Sequence, residues 1–418
     1  MNRREVFQVA AAAATLGIPL KGAALDTPRL PAEALFQRDP EAWWNKVRDE
    51  QFLLPSWRSF LQNGSLGVAP KPVLAAVVDY LTRSAALDLT EYPRWGYETL
   101  DEPRKEVSAF LGCHKDELAF THNATEAMSM IAGGLDLGPG EEVLITDQEH
   151  VSGRGCWYLK QARYGIRVRE VPIPLPPKSP GDIADRITSA IGPRTRVLSF
   201  SGITSPTGLV LPVRDICRAA RAKGVLTVVD GAHMQGHVPL NLHDLGCDFL
   251  AGSPHKWMFT PAGCGILYVR EEMLGRLWNT IISGEWSNRD LKAARFIMVG
   301  TNNRAIIEGL VAGLRFLKQL GPERVWARIH QLGRRAVEQA RELPGVRMLT
   351  PTDDRMFAGM VSFELKSPAW PAILKALEAK RVWHLAGERT RVSTHIHTRP
   401  RDIDEFFEIV RAGLKRPA

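Results

Sequence analysis

Cysteine is scarce in this sequence, and its spacing gives it no clear structural use. Five cysteines occur among 418 residues, without a C-x-x-C pair: Cys113, Cys156, Cys217, Cys247 and Cys264. Scattered cysteines in an odd number predict neither a disulfide framework nor a zinc site. Other residue types must therefore supply both the stability and the chemistry.

A block of basic residues is also missing. The net charge is +8, yet Lys and Arg alternate with Asp and Glu along the chain. This pattern argues against a nucleic acid partner, and it weakly suits an anionic cofactor and carboxylate substrates. A hydrophobic content of 44% and a charged content of 24% are ordinary for a globular protein. The length of 418 residues predicts a large and a small domain.

The N-terminal segment carries charge followed by a short apolar run, as export signals do. Arg3 and Arg4 precede the run from Val9 to Leu20, and small residues at 22–24 offer a cleavage region. The run is too short to span a membrane in the mature protein. We interpret residues 1–25 as a twin-arginine-type signal, which predicts a periplasmic or exported protein. Glu5 departs from that motif, and an ordinary amphipathic helix on a cytoplasmic protein is the alternative.

The stretch from Val225 to Lys256 organises the rest of the chain. Its apolar, β-branched beginning, Val225 to Val229, predicts a strand buried on both faces, as in a parallel sheet. Asp230 stands at the carboxyl end of this strand, where open α/β sheets bind ligands. A second short strand, 248–251, delivers Lys256 to the loop at its own carboxyl end. Two neighbouring strands are therefore expected to aim a carboxylate and an amine at one crevice.

This pairing suits pyridoxal phosphate (PLP). The cofactor needs a lysine that bonds to its aldehyde and a carboxylate that keeps its pyridine nitrogen protonated, so that the ring accepts electrons. Taken singly, such a Lys and such an Asp are more often surface residues. Flanked by D-G-A-H at 230–233 and S-P-H-K at 253–256, they resemble the class V group of fold-type-I PLP enzymes. Cysteine desulfurases, kynureninases and isopenicillin N epimerase-like proteins belong to that group.

The resemblance runs from about Phe60 to the C-terminus and implies an α/β fold. The expected large PLP-binding domain covers residues 61–310, and helices sandwich its mostly parallel seven-stranded sheet. A smaller α+β domain is expected over residues 311–418. The polar segment 26–60, with tryptophans spaced among charges, predicts a helical arm that packs against the main body or a partner subunit.

The resemblance also implies which residues surround the cofactor ring. His150 would stack on the ring, and Asp230 would bind the ring nitrogen. Ser205 and His233 would support the ring oxygen. A lone His or Ser at the end of a strand would otherwise be an ordinary turn residue.

A second group of residues is implied at the phosphate: Ala124, Thr125, Ser253 and His255. The first two open a helix, whose free amide groups and positive dipole end attract a phosphate. As a bare pattern, this is equally a routine capped helix start. Gly300 and Thr301 match residues that reach the phosphate of a neighbouring subunit, so the resemblance implies a homodimer.

Two residues are candidates for binding a small, amino-acid-like substrate. Arg391 lies in a strand-like run, at the family's position for the arginine that binds the substrate carboxylate. A buried Arg is costly without an anion, and it can bind a carboxylate through two parallel hydrogen bonds. A surface Arg is the alternative. Asn63, in the glycine-containing turn 60–67, is the weaker candidate.

Lys256 is expected to act as the catalytic base at the substrate α-carbon, with a pKa lowered by its neighbours and by partial burial. Cysteine desulfurases carry a mobile cysteine shortly before the carboxylate arginine, whereas residues 380–389 contain none. This disfavours a persulfide route and leaves epimerisation or racemisation, transamination, and elimination. An isopenicillin N epimerase-like enzyme is the leading prediction. A kynureninase- or C–S-lyase-like enzyme is the runner-up, and a non-catalytic PLP-binding protein is the distant alternative.

Overall fold

The computed structural model describes residues 27–86 and 98–415, so the predicted signal over 1–25 lies outside the described residues. Three described elements lie within the segment predicted as the arm, and a helix follows it: α1 (Glu33–Arg38), α2 (Pro40–Gln51) and β1 (Ser59–Phe60), then α3 (Lys71–Ala85). Trp43 and Trp44 are buried in the main hydrophobic core, whereas Trp57 is exposed. The arm therefore packs against the body of its own subunit.

A seven-stranded sheet forms the centre of the molecule. Its spatial order is β2-β8-β7-β6-β5-β3-β4. Strand β8 runs antiparallel to both of its neighbours, and the remaining pairs are parallel. The mostly parallel seven-stranded sheet predicted from the sequence is thus confirmed. Its strands are β2 (Leu118–Thr121), β3 (Glu142–Thr146), β4 (Arg167–Val171), β5 (Thr195–Ser201), β6 (Leu226–Asp230), β7 (Phe249–Gly252) and β8 (Gly265–Val269).

Helices and short 3₁₀ segments connect these strands. In α8, buried residues recur at the spacing i, i+3, i+4 and i+7, which gives the helix one apolar face for the sheet: Val213, Ile216, Cys217 and Ala220. The helices are α4 (Asp101–Leu111), α5 (Ala124–Gly134), α6 (Val151–Tyr164), α7 (Pro180–Ser189), α8 (Val213–Ala222), α9 (Leu242–Leu245) and α10 (Pro254–Trp257). The 3₁₀ segments are Lys115–Glu117, Glu271–Arg276 and Arg289–Phe296.

The C-terminal part is smaller and has its own apolar core. Strands β12, β10 and β9 form an antiparallel sheet in that order, and buried side chains of three helices pack with it. Strand β11 pairs in parallel with β1 of the arm. The elements are α11 (Arg304–Leu320), α12 (Pro322–Arg341), β9 (Arg347–Met348), β10 (Met360–Glu364), α13 (Trp370–Ala379), β11 (Val382–Trp383), β12 (Arg389–Ser393) and α14 (Pro400–Leu414).

The parallel strands β5, β6 and β7 end at the same edge of the central sheet. Ser201 of β5 is paired with Asp230 of β6, and Asp230 is paired with Ala251 of β7. The chain leaves β7 directly into α10, which carries Lys256. Sheet topology therefore brings the carboxylate and the amine to one place. Among the helices that the structure describes, none combines the length and apolar character that crossing a membrane requires.

Candidate active site

A cavity of about 240 Å³ opens at the carboxyl edge of β5, β6 and β7. Nine of the residues that the sequence predicts for the site line it: Ala124, Thr125, His150, Ser205, Asp230, His233, Ser253, His255 and Lys256. They come from five separate segments of the chain. The fold therefore assembles most of the predicted site around one space.

Lys256 supplies the amine of this cavity, and two neighbouring residues hold its backbone carbonyl in place. The Asn63 side chain donates a hydrogen bond from Nδ2 to the Lys256 carbonyl over 2.8 Å. Gly67 packs on the same carbonyl, because a Cβ at Gly67 would lie 2.3 Å from the Lys256 oxygen. Burial lowers the pKa of Lys256 from 10.5 to about 8; Arg391 adds to the shift and Asp230 opposes it. A minority of the lysine, on the order of a tenth to a fifth, is thus a neutral amine near physiological pH, far more than for an unperturbed lysine.

Asp230 supplies the carboxylate on the neighbouring strand. Its Oδ1 accepts a hydrogen bond from the Ala232 amide over 3.0 Å, which orients the side chain. Gly153 lines the cavity beside it, and a Cβ there would lie 2.8 Å from Asp230 Oδ2. Any larger residue at 153 would therefore fill the space next to the carboxylate.

Glu149 is a buried carboxyl group behind the same edge of the sheet. Thr146 Oγ1 donates a hydrogen bond to Oε1 over 2.5 Å, and Ser201 Oγ donates one to Oε2 over 2.6 Å. Burial raises the pKa of Glu149 to about 7, and the charge of Asp230 contributes to the rise. Glu149 is thus only partly ionised at neutral pH.

Backbone amides and hydroxyls gather where helix α5 begins. Ser253 Oγ accepts a hydrogen bond from the Ala124 amide over 3.0 Å, which ties the start of α5 to the lysine loop. Thr125, the next residue, is exposed and lines the cavity. His255 is held by its Nδ1, which lies 2.6 Å from the Cys264 carbonyl. The N-terminus of this 11-residue helix, with hydroxyl groups beside it, is a suitable site for a phosphate.

The two histidines of the cavity differ in exposure. His150 caps α6, its Nδ1 accepting from the Ser152 amide over 3.2 Å, and its ring is exposed. His233 is buried, and its Nε2 lies 3.2 Å from Lys256 Nζ. Burial and the charge of Lys256 lower the pKa of both rings, that of His233 well below its usual range. Both are therefore neutral at physiological pH.

Arg391 enters the site from β12 of the small domain. Its Nη1 donates to the Ser205 carbonyl over 2.9 Å and to Ser205 Oγ over 3.2 Å, and Nη2 donates to Ser65 Oγ over 2.9 Å. Its Nε is buried without a hydrogen-bond partner in the described part of the chain. Burial lowers the pKa of Arg391, and none of the ion pairs found among the described residues includes it. The guanidinium thus carries a buried charge that no carboxylate of the described residues balances.

Four predicted residues do not line the cavity, and one of them, Arg391, is bonded to the lining residues Ser205 and Ser65. Gly300 and Thr301 precede α11 outside it, and their contact with a partner subunit stays a prediction. Asn63 lies beneath the lysine, where its Oδ1 also accepts from His397 Nε2 over 3.2 Å. Both ends of the Asn63 amide are therefore bonded to protein, and a contact with substrate stays a prediction.

Several residues of the site were missed by the sequence analysis. Ser65 lies in the turn already marked by glycines, and Glu149 directly precedes His150. These positions had a local signal, because each neighbours a predicted residue. Ser201 had none beyond its place at a strand end, and Trp257 resembles any apolar residue after a loop.

The residues present fit PLP. An amine with a pKa near 8 can bond to the cofactor aldehyde, and a carboxylate beside a glycine-sized gap can bind the protonated ring nitrogen. The start of α5, with Ser253, Thr125 and His255, would hold the phosphate. When bound, the cofactor supplies an electron sink for the α-carbon of an amine joined to it.

Comparison with known proteins agrees with this chemistry. The family model for aminotransferase class V matches residues 60–416. The isopenicillin N epimerase of Streptomyces clavuligerus is 30% identical over 390 residues, covering 88% of this chain and 98% of the relative. That of Amycolatopsis lactamdurans is 31% identical over 393 residues, with the same coverages of 88% and 98%.

A solved structure shows the same architecture. The cystine C–S lyase C-DES, in complex with its product cysteine persulfide, has a TM-score of 0.76 at 26% identity, covering 86% of this chain and 98% of that chain. The expected PLP cofactor and α/β fold are therefore confirmed. The chain belongs to the aminotransferase class V family of PLP-dependent enzymes.

Proposed function

We propose that the protein moves a proton at the α-carbon of an amino acid or amino-acid-like substrate, as an isopenicillin N epimerase-like isomerase. Similarity to two isopenicillin N epimerases over most of both chains supports this direction. Transamination is the closest variant, because it begins with the same proton removal.

The observation that carries the proposal is Arg391, a buried cation without a carboxylate partner among the described residues, held by Ser205 and Ser65 at the edge of the cavity. A substrate α-carboxylate would balance this charge through charge-assisted hydrogen bonds. The substrate amine would then lie on the side of Lys256. Once free, Lys256 Nζ would accept the α-proton, a role that its pKa of about 8 suits.

The cysteines disfavour a desulfurase. None follows Cys264 in the sequence. Burial raises the pKa of Cys156 and of Cys264 to about 12, so neither forms a thiolate readily. A persulfide carrier needs a reactive thiolate, and no cysteine here has one near the proposed substrate carboxylate.

A lyase is the second candidate, and the likeness to C-DES, a cystine C–S lyase, favours it. Elimination uses the same base and the same carboxylate anchor, and it differs only in a leaving group on the substrate β-carbon. The substrate therefore decides between the two reactions.

The test is incubation of purified holoenzyme with a panel of amino acids in deuterated water. Deuterium at the α-carbon together with loss of chirality supports the isomerase. An oxo acid indicates transamination, and fragmentation indicates a lyase. Lys256→Ala is the control, because it removes the base. An absence of exchange with every amino acid, or exchange that persists in Lys256→Ala, would overturn the proposal.

We also propose a homodimer in which Thr301 of each subunit completes the site of the other. Its support is the Gly300-Thr301 pair of the sequence and its position outside the cavity of its own subunit. In a mixture of Lys256→Ala and Thr301→Glu chains, mixed dimers should regain one working site. Failure to regain activity, or an active monomer in sedimentation, would exclude shared sites.

Export through a twin-arginine-type signal is proposed from Arg3 and Arg4 and from the apolar run that follows. Cofactor loading before export fits this route, because it carries folded proteins. Fractionation of a bacterial host should recover the protein in the periplasm, and a double Arg3→Lys, Arg4→Lys variant should remain in the cytoplasm. Recovery of both proteins in the cytoplasm would contradict export.

A further inference from the structure

Trp257 directly follows the catalytic lysine and is fully buried. Its indole Nε1 donates a hydrogen bond to His233 Nδ1 over 3.2 Å, and the other nitrogen of that ring, Nε2, lies 3.2 Å from Lys256 Nζ. The indole, the imidazole and the amine therefore form a short chain of polar contacts. Trp257 acts at the end of this chain that is remote from the cavity.

Two histidine rings stack on the indole and restrict its position. His237 stacks on it with ring centroids 3.5 Å apart and an angle of 3° between the planes. His395, from the small domain, stacks with centroids 5.7 Å apart and an angle of 22°. Gly236 adopts a positive φ of 79°, and a Cβ there would lie 2.5 Å from the Trp257 carbonyl. The ring therefore has little freedom to turn its N–H away from His233.

The neighbouring histidines show how the proton on each ring is assigned from its partners. The Gly359 amide donates to His237 Nε2, so Nδ1 of that ring carries the proton and donates to the His233 carbonyl over 2.9 Å. The Ile396 amide donates to His395 Nδ1, so Nε2 donates to the Trp257 carbonyl over 3.1 Å. Burial lowers the pKa of His237 to about 3 and that of His395 to about 4, so both are neutral.

The proton of His233 is assigned from its partners in the same way. An indole nitrogen is a donor only, so Nδ1 of His233 must be the acceptor. In the neutral ring, the proton then lies on Nε2, facing the amine of Lys256. The opposite tautomer would place two N–H groups against each other at 3.2 Å. It would also turn a lone pair toward Lys256, which would favour the charged ammonium over the neutral amine.

We propose that Trp257 is a positioning residue whose indole N–H holds His233 as the Nε2–H tautomer, so that the lysine amine faces a hydrogen-bond donor. The same donor would suit the cofactor oxygen that the family resemblance implies for His233. The inference rests on the geometry around Lys256 and holds whether the enzyme is an isomerase or a lyase.

The test is nuclear magnetic resonance of the holoenzyme labelled with ¹⁵N in histidine and tryptophan. Protonated and unprotonated ring nitrogens resonate far apart, and His233→Gln identifies the signals of His233 by their loss. The parent should show protonated Nε2, unprotonated Nδ1 and a coupling through the hydrogen bond to Trp257 Nε1. A protonated Nδ1 in the parent overturns the proposal, and this measurement needs no Trp257 variant.

Trp257→Phe keeps an aromatic ring for His237 and His395 to stack on, and it removes the hydrogen-bond donor. We expect its His233 to populate the Nδ1–H tautomer, alone or mixed with the other. Trp157→Phe is the matched control, because Trp157 is equally buried and its Nε1 donates to Ser199 Oγ over 3.0 Å. The control should leave the His233 signals unchanged. An unchanged tautomer in Trp257→Phe, or an equal change in Trp157→Phe, would refute the role assigned to the indole.

Discussion

Replacing Arg391 by Gln should weaken substrate binding without weakening the fold. Among the described residues, the guanidinium donates only to Ser205 and to Ser65 Oγ, and its buried Nε has no partner. Its charge is therefore a cost in the empty site, and the substrate carboxylate is the group expected to balance it. Gln keeps an amide that can bond to Ser205 and removes the charge.

The expected loss follows from the kind of contact removed. Truncating one partner of a buried, hydrogen-bonded charge pair costs about 2–5 kcal/mol. At about 1.4 kcal/mol for each factor of ten, the substrate Kd should rise by roughly 30-fold to a few thousand-fold. Without substrate, the free energy of unfolding should stay within about 1 kcal/mol of the parent value. The substitution loses hydrogen bonds of Arg391, but it also removes an unsatisfied buried donor, which costs a comparable amount.

Two measurements on the holoenzyme test this reasoning. Titration of the cofactor absorbance gives the Kd of an amino acid and of its amide, and only the acid should lose affinity in Arg391→Gln. Denaturant unfolding gives the stability. Arg295→Gln is the matched control for the stability, because Arg295 is also buried but is hydrogen-bonded to several oxygens: Leu274 O, Leu277 O, Lys292 O and Asn279 Oδ1.

Arg295→Gln should lower the free energy of unfolding by about 1–3 kcal/mol or more, since it leaves buried carbonyls without donors. Arg391→Gln should not. If Arg391→Gln binds the acid as tightly as the parent, or if it destabilises the protein as much as Arg295→Gln, then Arg391 is a structural residue and not the carboxylate anchor.

Three further predictions concern Lys256 and Glu149. Lys256→Ala should prevent borohydride from fixing the cofactor to the peptide that carries residues 254–257, and a fixed cofactor there would contradict the assignment. Because burial lowers the pKa of Lys256 to about 8, the rate at which the apoprotein recombines with PLP should rise with a midpoint near pH 8; a midpoint above pH 10 would exclude the lowered pKa. Burial raises the pKa of Glu149 to about 7, so the folded protein retains a proton that the unfolded chain loses near pH 4.5. The free energy of unfolding should therefore fall as the pH rises from 4.5 to 7, by on the order of 3 kcal/mol, and Glu149→Gln should remove that fall. Parallel curves of stability against pH for the parent and the variant would contradict the raised pKa.

The secondary structure of the central sheet was largely predictable because its signals are local. An apolar β-branched run predicted a strand over 225–229, and the strand spans Leu226–Asp230. A second short strand was predicted over 248–251, and the strand spans Phe249–Gly252. In each case, the residues that form the element also contain the pattern that marks its limits.

The candidate site was predictable where its charged side chains lie at or just after the ends of strands. Asp230 and Lys256 meet because adjacent parallel strands end at one edge, a consequence of topology that the residue order already indicates. Ser205 and Arg391, 186 positions apart, had separate signals, but their contact had none. Partners of this kind result from the packing of the small domain on the large one, which no local pattern describes.

The environment of the catalytic lysine shows why the motif alone is insufficient. The S-P-H-K motif places the amine, but residues far away in the chain hold its surroundings. Asn63 is hydrogen-bonded to the Lys256 carbonyl, and His395 is hydrogen-bonded to the carbonyl of the neighbouring Trp257. His395 and Gly359, the residue that bonds to His237, both belong to the small domain. Any shift of this domain relative to the sheet would change the stack on Trp257, and with it the donor that faces the lysine. The reactivity of Lys256 is therefore a property of the packing between the two domains, and substitutions in either of them can change it.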